Sequence, residues 1–261
     1  MIDLHVHSTF SDGSLTPEQL LQEADRLHLA ALALTDHDSV DGVARLLAAG
    51  RAGRARPIPG VEISVESPAG PMHMLGYFID PACASLSDRL GRIQAGRAER
   101  NRRIIEQLGK MGMALDMAEI AALAGGEVVG RPHFAQAMVA RGYVRSAQEA
   151  FDRFLAKGKP AYQERLRLDE QQAIAMIRDA GGVAVLAHPF TLGLGKAALD
   201  ELVVRLCALG LQGIEVYYPK HTKKQVRQYL AAAARYCPVS YTHLRAHETP
   251  EHLVCRLLLE K

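Results

Sequence analysis

"MIDLHVHSTFSDG" (residues 1–13) sets His5 and His7 two positions apart on a short apolar run, then adds Asp12 and a glycine. The run from Ile2 to Val6 has the alternation of a strand. Side chains at i and i+2 of a strand leave the same face, so His5 and His7 can share one ion while Asp12 reaches in from the following loop. A lone His-x-His is a weak signal, and taken by itself a chance pair or a core histidine explains it better than metal binding does. The decision rests on what the rest of the chain places beside it.

Working outward, Thr16-Pro17-Glu18-Gln19 reads as a helix start, with Thr16 as N-cap, Pro17 at the first position and Gln19 closing a capping box. "LAALALTDHD" (29–38) predicts a second strand, followed by a helix to about Ala49 that Gly50 ends. "PIPGVEISVE" (57–66) and "MHMLGYFI" (72–79) flank the turn-like "SPAGP" and predict a hairpin. "GVAVLAHP" (182–189) and "GIEVYYP" (213–219) are further strands, each preceded by a helical pattern. Short apolar runs alternating with amphipathic stretches describe β-α units around a parallel sheet.

Residues 84–166 break that rhythm. "LSDRLGRIQAGRAERNRRIIEQLGKMGM" (86–113), "DMAEIAAL" (116–123), "PHFAQAMVARGY" (132–143) and "SAQEAFDRFLAKG" (146–158) predict successive helices, a helical insert in a β/α domain. The expected division is a discontinuous barrel over 1–83 and 167–239 and an insert over 84–166.

Several classes of function are disfavoured. The 261 residues carry 31 Lys+Arg against 29 Asp+Glu, so any affinity for phosphate must come from a local patch and no large nucleic-acid surface is expected. Cys83, Cys207, Cys237 and Cys255 form no C-x-x-C pair and argue against a zinc knuckle or disulfide framework. Asp3 and His5 interrupt any leader at the start, and no apolar run approaches membrane-spanning length, so the expectation is a cytoplasmic protein without a membrane or an obligate protein partner.

The candidate ligands fall at strand ends. Asp36-His37 closes the second strand, Glu62 lies in the third, His73 opens its hairpin partner and His188 ends "VAVLAH". In a β/α barrel, catalytic groups gather on the rim where strands end. Joined to His5, His7 and Asp12, they read as one metal cluster. His28 and His221 read as exposed helix-flanking residues, and Glu215 as either a partner to a ligand or a buried strand carboxylate. In "GRAERNRR" (96–103), Arg97, Arg100 and Asn101 share a helix face while Glu99 and Arg103 can pair on another. That face is either solvated or a phosphate clamp.

The motifs "DLHVHSTFSDG", "LTDHDSVDG", "PGVEIS", "HMLGY", "GRPHFA" and "LAHP" resemble the PHP (polymerase and histidinol phosphatase) family of metal-dependent phosphoesterases, over residues 1 to about 235. The likeness is greatest to the branch that removes the 3'-phosphate of nucleoside 3',5'-bisphosphates, with relatives that trim short RNA from the 5' end. The resemblance implies a distorted seven-stranded β/α barrel with two to three divalent ions, manganese first and iron or zinc as alternatives. It implies His5, His7, Asp12, His37, Glu62, His73 and His188 as ligands, Glu62 as a bridge and Asp36 as the group that orients its neighbour. It also implies Arg100, Asn101, Arg131 and His133 as holders of a small nucleotide or short oligonucleotide. A histidinol-phosphate-like monoesterase and a non-catalytic metal-binding module are the competing readings.

One departure stands out. The family pattern calls for a last strand ending in Asp-x-His, and the chain instead reads "CPVSYTHLRAHETPEHLVCRLLLEK" (237–261). Residues 240–261 read as a non-native tail, with the last barrel segment and two ligands missing. The rival is replacement by His243 and His247, spaced i and i+4, a spacing common by chance.

Overall fold

The structure, a computed structural model, describes residues 1–237 except 52, 71 and 125–127. The expected tail, with His243 and His247, lies outside the described residues. Along the chain run β1 (Ile2–Val6), α1 (Pro17–Arg26), β2 (Ala31–Leu34), α2 (Val43–Ala49), β3 (Arg56–Glu66) and β4 (Met72–Tyr77). Four helices follow, α3 (Ala84–Lys110), α4 (Met117–Ala124), α5 (Arg131–Ala140) and α6 (Ala147–Ala150), the last continuing as a π-helical turn over Phe151–Leu155. The chain then returns through β5 (Leu168–Asp169), α7 (Glu170–Asp179), β6 (Val183–Leu186), α8 (Lys196–Leu209), β7 (Gly213–Ile214) and α9 (Lys223–Tyr236).

The strands form one curled seven-stranded sheet in the order β1-β2-β3-β4-β6-β7, with β5 joined to β3. It is mixed where the β-α rhythm predicted parallel strands, because the hairpin sets β4 antiparallel to both β3 and β6. Curvature follows from the side chains. In β2, Ala31 and Ala33 face the inside of the curl, with Leu4, Ile58, Leu75 and Val185, while Leu32 and Leu34 face outward onto α1 and α2. Small residues inside and large ones outside let the sheet bend, and burial of both faces explains why "LAALAL" is apolar throughout.

The Thr16 cap forms as expected: its hydroxyl accepts the Gln19 N–H and the Gln19 side chain accepts the Thr16 N–H, an arrangement worth about 1 kcal/mol. Gly50 ends α2 as expected, but not as a left-handed cap. Its φ is −66°, and a Cβ there would meet Pro57 Cγ at 2.3 Å, so close packing requires the glycine.

The 27-residue helix α3 joins the two parts of the molecule and spans about 40 Å. Leu86, Leu90 and Ile93 of its first half pack with Val61, Ile63 and Met74 of the sheet. Ile104 and Leu108 of its second half belong to a separate core with Phe134, Met138 and Leu155. Arg97, Arg100 and Asn101 fall between these two anchor points along α3.

Candidate active site

Glu62, 1% exposed in the middle of β3, is the centre of the site. Oε2 lies 3.2 Å from His5 Nε2, 3.2 Å from His7 Nε2 and 3.1 Å from His37 Nδ1. Oε1 lies 2.8 Å from both His73 Nδ1 and His188 Nε2. Asp12 completes the set, 2.9 Å from His7 Nδ1 and 3.7 Å from His37 Nε2. All seven residues named from the sequence line one cavity of about 660 Å³.

Local structure explains each placement. His5 and His7 converge because alternate residues of an extended run share a face. Asp12 is turned back by a tight loop in which the Ser11 and Gly13 N–H groups both donate to the Ser8 carbonyl. His188 leaves β6 with φ 22°, ψ 64°, a positive-φ conformation that a residue other than glycine adopts only when its surroundings hold it. Its N–H donates to Glu215 Oε2 at 2.6 Å, and Glu215 Oε1 accepts from His5 Nδ1 at 2.9 Å. Glu215 thus fits both sequence readings of it, as a buried carboxylate that bonds His5 and His188.

Asp36 corrects an expectation. Its carboxylate accepts the Ser8 N–H and hydroxyl at 2.7 and 2.6 Å, and also the Ser11 hydroxyl, so among these bonds it fixes the Asp12 loop and leaves the ring of His37 alone. His28 is exposed, as expected. His221 is not: its ring packs against Phe190, Tyr218 and Tyr229, and Nδ1 bonds the Val216 carbonyl at 2.7 Å.

The electrostatics of the cluster suit a cation. Burial disfavours charge on His7, but hydrogen bonds to Asp12 and Glu62 override it and raise its pKa to about 9. Burial likewise opposes protonation of His5, and the Glu62 and Glu215 charges overcome it. For His37 burial wins, lowering it to about 4. Glu62 is held well below the usual carboxylate range: burial would raise it, but His37, His73 and His5 prevail. The donor set passes a direct test of fit. His37 Nδ1 is buried without a hydrogen-bond partner although Glu62 Oε2 lies 3.1 Å away, an orphaned polar atom that a cation held between imidazole and carboxylate would satisfy. Two groups, His5-Glu62-His188 and His7-His37-Glu62, each bring three donor atoms within 4.8 Å and share Glu62. Imidazole and carboxylate donors in that arrangement can hold divalent transition metals.

Beside this cluster a second cavity of about 400 Å³ is lined by Arg97, Arg100, Arg131, Arg165 and Arg167 together with His133. Arg100 is 5% exposed; it bonds only the Val129 carbonyl, and its Nε has no partner among the described residues. Burial, then Arg165, Arg97, Arg131 and Arg167, pull its pKa down to about 9. Arg131 donates to the Leu155 carbonyl and lies over the Tyr162 ring. His133 Nδ1 accepts the Gly130 N–H at 3.1 Å. Asn101 donates to the Val129 carbonyl and lines an adjoining, more apolar cavity with Phe10, Met117 and Val128. The Glu99–Arg103 pair forms on the opposite, exposed side of α3.

Sequence reasoning passed over Arg165 and Arg167. Their i, i+2 spacing in "ERLRLDE" puts two cations on one side of an extended segment and was the available signal.

The comparisons agree with this geometry. The model of the PHP domain matches residues 3–163. A 3',5'-nucleoside bisphosphate phosphatase of Chromobacterium violaceum is 37% identical over 244 residues, covering 90% of this chain and 83% of the relative. A 5'-3' exoribonuclease of Haemophilus influenzae is 35% identical over 233 residues, covering 89% of this chain and 84% of the relative. A crystal structure from Bifidobacterium adolescentis, described as a metal-dependent phosphoesterase, superposes with a TM-score of 0.78 at 28% identity, covering 99% of this chain and 94% of the other. With its ligand-bearing strand ends and these likenesses taken together, the chain belongs to the PHP domain family of metal-dependent phosphoesterases.

Proposed function

We propose that this chain hydrolyses the 3'-phosphate of nucleoside 3',5'-bisphosphates and trims short RNA from its 5' end. In this reading His5, His7, Asp12, His37, Glu62, His73 and His188 hold two to three divalent ions, manganese in the first place, with iron and zinc served by the same donors. The observation that carries the proposal is a shared wall. Asp12, His37 and His73 line both the cavity of the cluster and the arginine cavity. A substrate that fills both has two anionic groups, one to be cleaved and one to be held. The names of the Chromobacterium and Haemophilus relatives describe substrates of that kind.

Each residue then has a task. Arg100 and Arg131, which have no carboxylate partner among the described residues, grip the 5'-phosphate, since a guanidinium fork matches phosphate oxygens. Glu62 belongs to both donor groups and spans them. Glu215 keeps the His5 ring turned so that Nε2 faces inward. Bound at the cluster, divalent ions supply Lewis acidity toward the phosphoryl oxygens and toward water. No side-chain nucleophile is required. Under this reading the insert, 84–166, supplies the grip on the second phosphate, and the barrel segments, 1–83 and 167–239, supply the ligands. Free cysteines at 83, 207 and 237 suit a reducing cytoplasm, and among the described residues no helix is long and apolar enough to cross a membrane.

The test is release of inorganic phosphate from adenosine 3',5'-bisphosphate in manganese, with His7→Ala alongside. Release that the variant loses supports the reading. A protein that binds manganese and releases no phosphate overturns it.

A further inference from the structure

The loop after β2 carries a second buried carboxylate, Asp38, that neither the ligand set nor the anion grip employs. It is 0% exposed, and its φ of 53° is a conformation that residues other than glycine adopt at a cost. Its bonds reach three separate parts of the chain. The N–H donates to the Glu62 carbonyl at 2.8 Å, Oδ1 accepts the Ser64 N–H at 2.7 Å and Oδ2 the Ser64 hydroxyl at 3.0 Å, all on β3. From α3, Gln94 donates to the Asp38 carbonyl at 3.0 Å and Arg97 forms an ion pair with Oδ2. From the segment before β5, Arg165 reaches the same oxygen at 3.4 Å.

Two of the five arginines of the anion cavity are thus tied, through one carboxylate, to the strand that carries Glu62. We propose that Asp38 is a positioning residue for the anion site: it holds the Arg97 and Arg165 forks at a set distance from Glu62, so that a 5'-phosphate is gripped in register with the ester at the histidine cluster. The proposal rests on the reading of the substrate given above. Long arginine side chains sample many rotamers when nothing fixes them, and the two forks sit on different segments that no other carboxylate among the described residues joins.

A counterweight role predicts the opposite sign. If Asp38 only offsets the surplus of positive charge, removing its charge leaves a more positive cavity that binds anions more tightly. Asp38→Asn separates the two, because the amide oxygen can still accept the Ser64 N–H while the hold on both guanidiniums is lost. The quantity to read is the ratio of kcat/KM for adenosine 3',5'-bisphosphate to that for adenosine 3'-monophosphate in the manganese-loaded enzyme.

The wild-type enzyme should prefer the bisphosphate, and D38N should lower that preference by about tenfold to a hundredfold, chiefly through KM, the loss that a misplacement of about 1 Å produces. An equal fall for both substrates, with the ratio intact, would make Asp38 merely structural and overturn the proposal, as would tighter binding of the bisphosphate. Ser64→Ala keeps the charge and removes one hydroxyl from Asp38, so it gives the same readout if D38N does not fold. It should lower the ratio about threefold, and an unmoved ratio overturns the proposal. A wild-type enzyme indifferent to the 5'-phosphate would sink the substrate reading itself, and this proposal with it.

Discussion

His5 and Glu215, 210 residues apart in sequence, face each other at 2.9 Å where β1 and β7 end. No ladder joins those two strands among the described residues, since they are the outer strands of the curl. The gap is crossed by side chains, and Glu215 also takes the His188 N–H. Glu215→Gln should lower divalent-metal affinity by about 10- to 100-fold, as losses of carboxylate partners to ligating histidines do. Titration with manganese followed by metal analysis checks it; full affinity in the variant would show that the His5 ring is held by other means.

Metal-free protein should become less stable as pH rises from about 6.5 to about 9. The sign follows from His7, whose pKa in the fold is raised to about 9 by Asp12 and Glu62 against the opposing effect of burial. A raised histidine adds stability that is fully present below its unfolded value of about 6.5 and is lost as pH climbs through the folded value. His5 shifts the same way. The lowered His37 acts only on the acid side, between about 6.5 and about 4. Thermal unfolding with a chelator should show Tm falling over the alkaline window. Saturating manganese should flatten the fall, because metal binding needs these rings unprotonated. A flat profile without metal would contradict the assignment.

Much of the site was legible because its residues interrupt apolar runs, the histidines at or near strand ends and Glu62 within a strand, where a packed core has little use for them. His5, His7, His37, Glu62, His73 and His188 all break such runs, and the hairpin could be read from "SPAGP". What escaped depends on contacts distant in sequence. Asp38 meets Arg165 127 residues away, in a segment without regular structure, and no periodicity marks that meeting. β5 is two residues long, too short to announce itself. His221 has a polar sequence neighbourhood, and only the fold supplies the rings of Phe190 and Tyr229 around it. Gly50 stands where a helix stop is expected, but its requirement is steric and comes from Pro57 in the next strand, which no local pattern announces.

Gly13→Ala should disable the site without removing a ligand. A Cβ at that position would meet the His7 carbonyl oxygen at 2.1 Å, the His7 carbonyl carbon at 2.5 Å and the Ser8 nitrogen at 2.8 Å. All three are backbone atoms, so no side chain can rotate to make room, and the loop that presents Asp12 must move. Overpacking of this kind costs about 2 kcal/mol. The variant should lose stability by roughly that amount and bind manganese more weakly; circular dichroism melts and metal content measure the two effects. Normal metal content would mean that Asp12 holds its position independently of the turn.

Arg100→Ala should separate substrate grip from metal binding. The side chain is buried, hydrogen-bonded among the described residues only to the Val129 carbonyl, and crowded by Arg165, Arg97, Arg131 and Arg167. Its charge is unfavourable to the empty protein and becomes favourable once an anion enters. A charge-assisted hydrogen bond contributes about 1.5 to 3 kcal/mol, so KM for adenosine 3',5'-bisphosphate should rise roughly tenfold to a hundredfold. Manganese content should stay at the wild-type level, because Arg100 belongs to the arginine cavity and does not line that of the cluster. Relief of the like-charge crowding should offset part of the packing lost with the side chain, leaving Tm lowered by less than a comparable apolar truncation in the core. Steady-state kinetics beside metal analysis decides the matter: an unchanged KM removes Arg100 from the phosphate grip, and a parallel loss of metal would show that the two cavities are not separable.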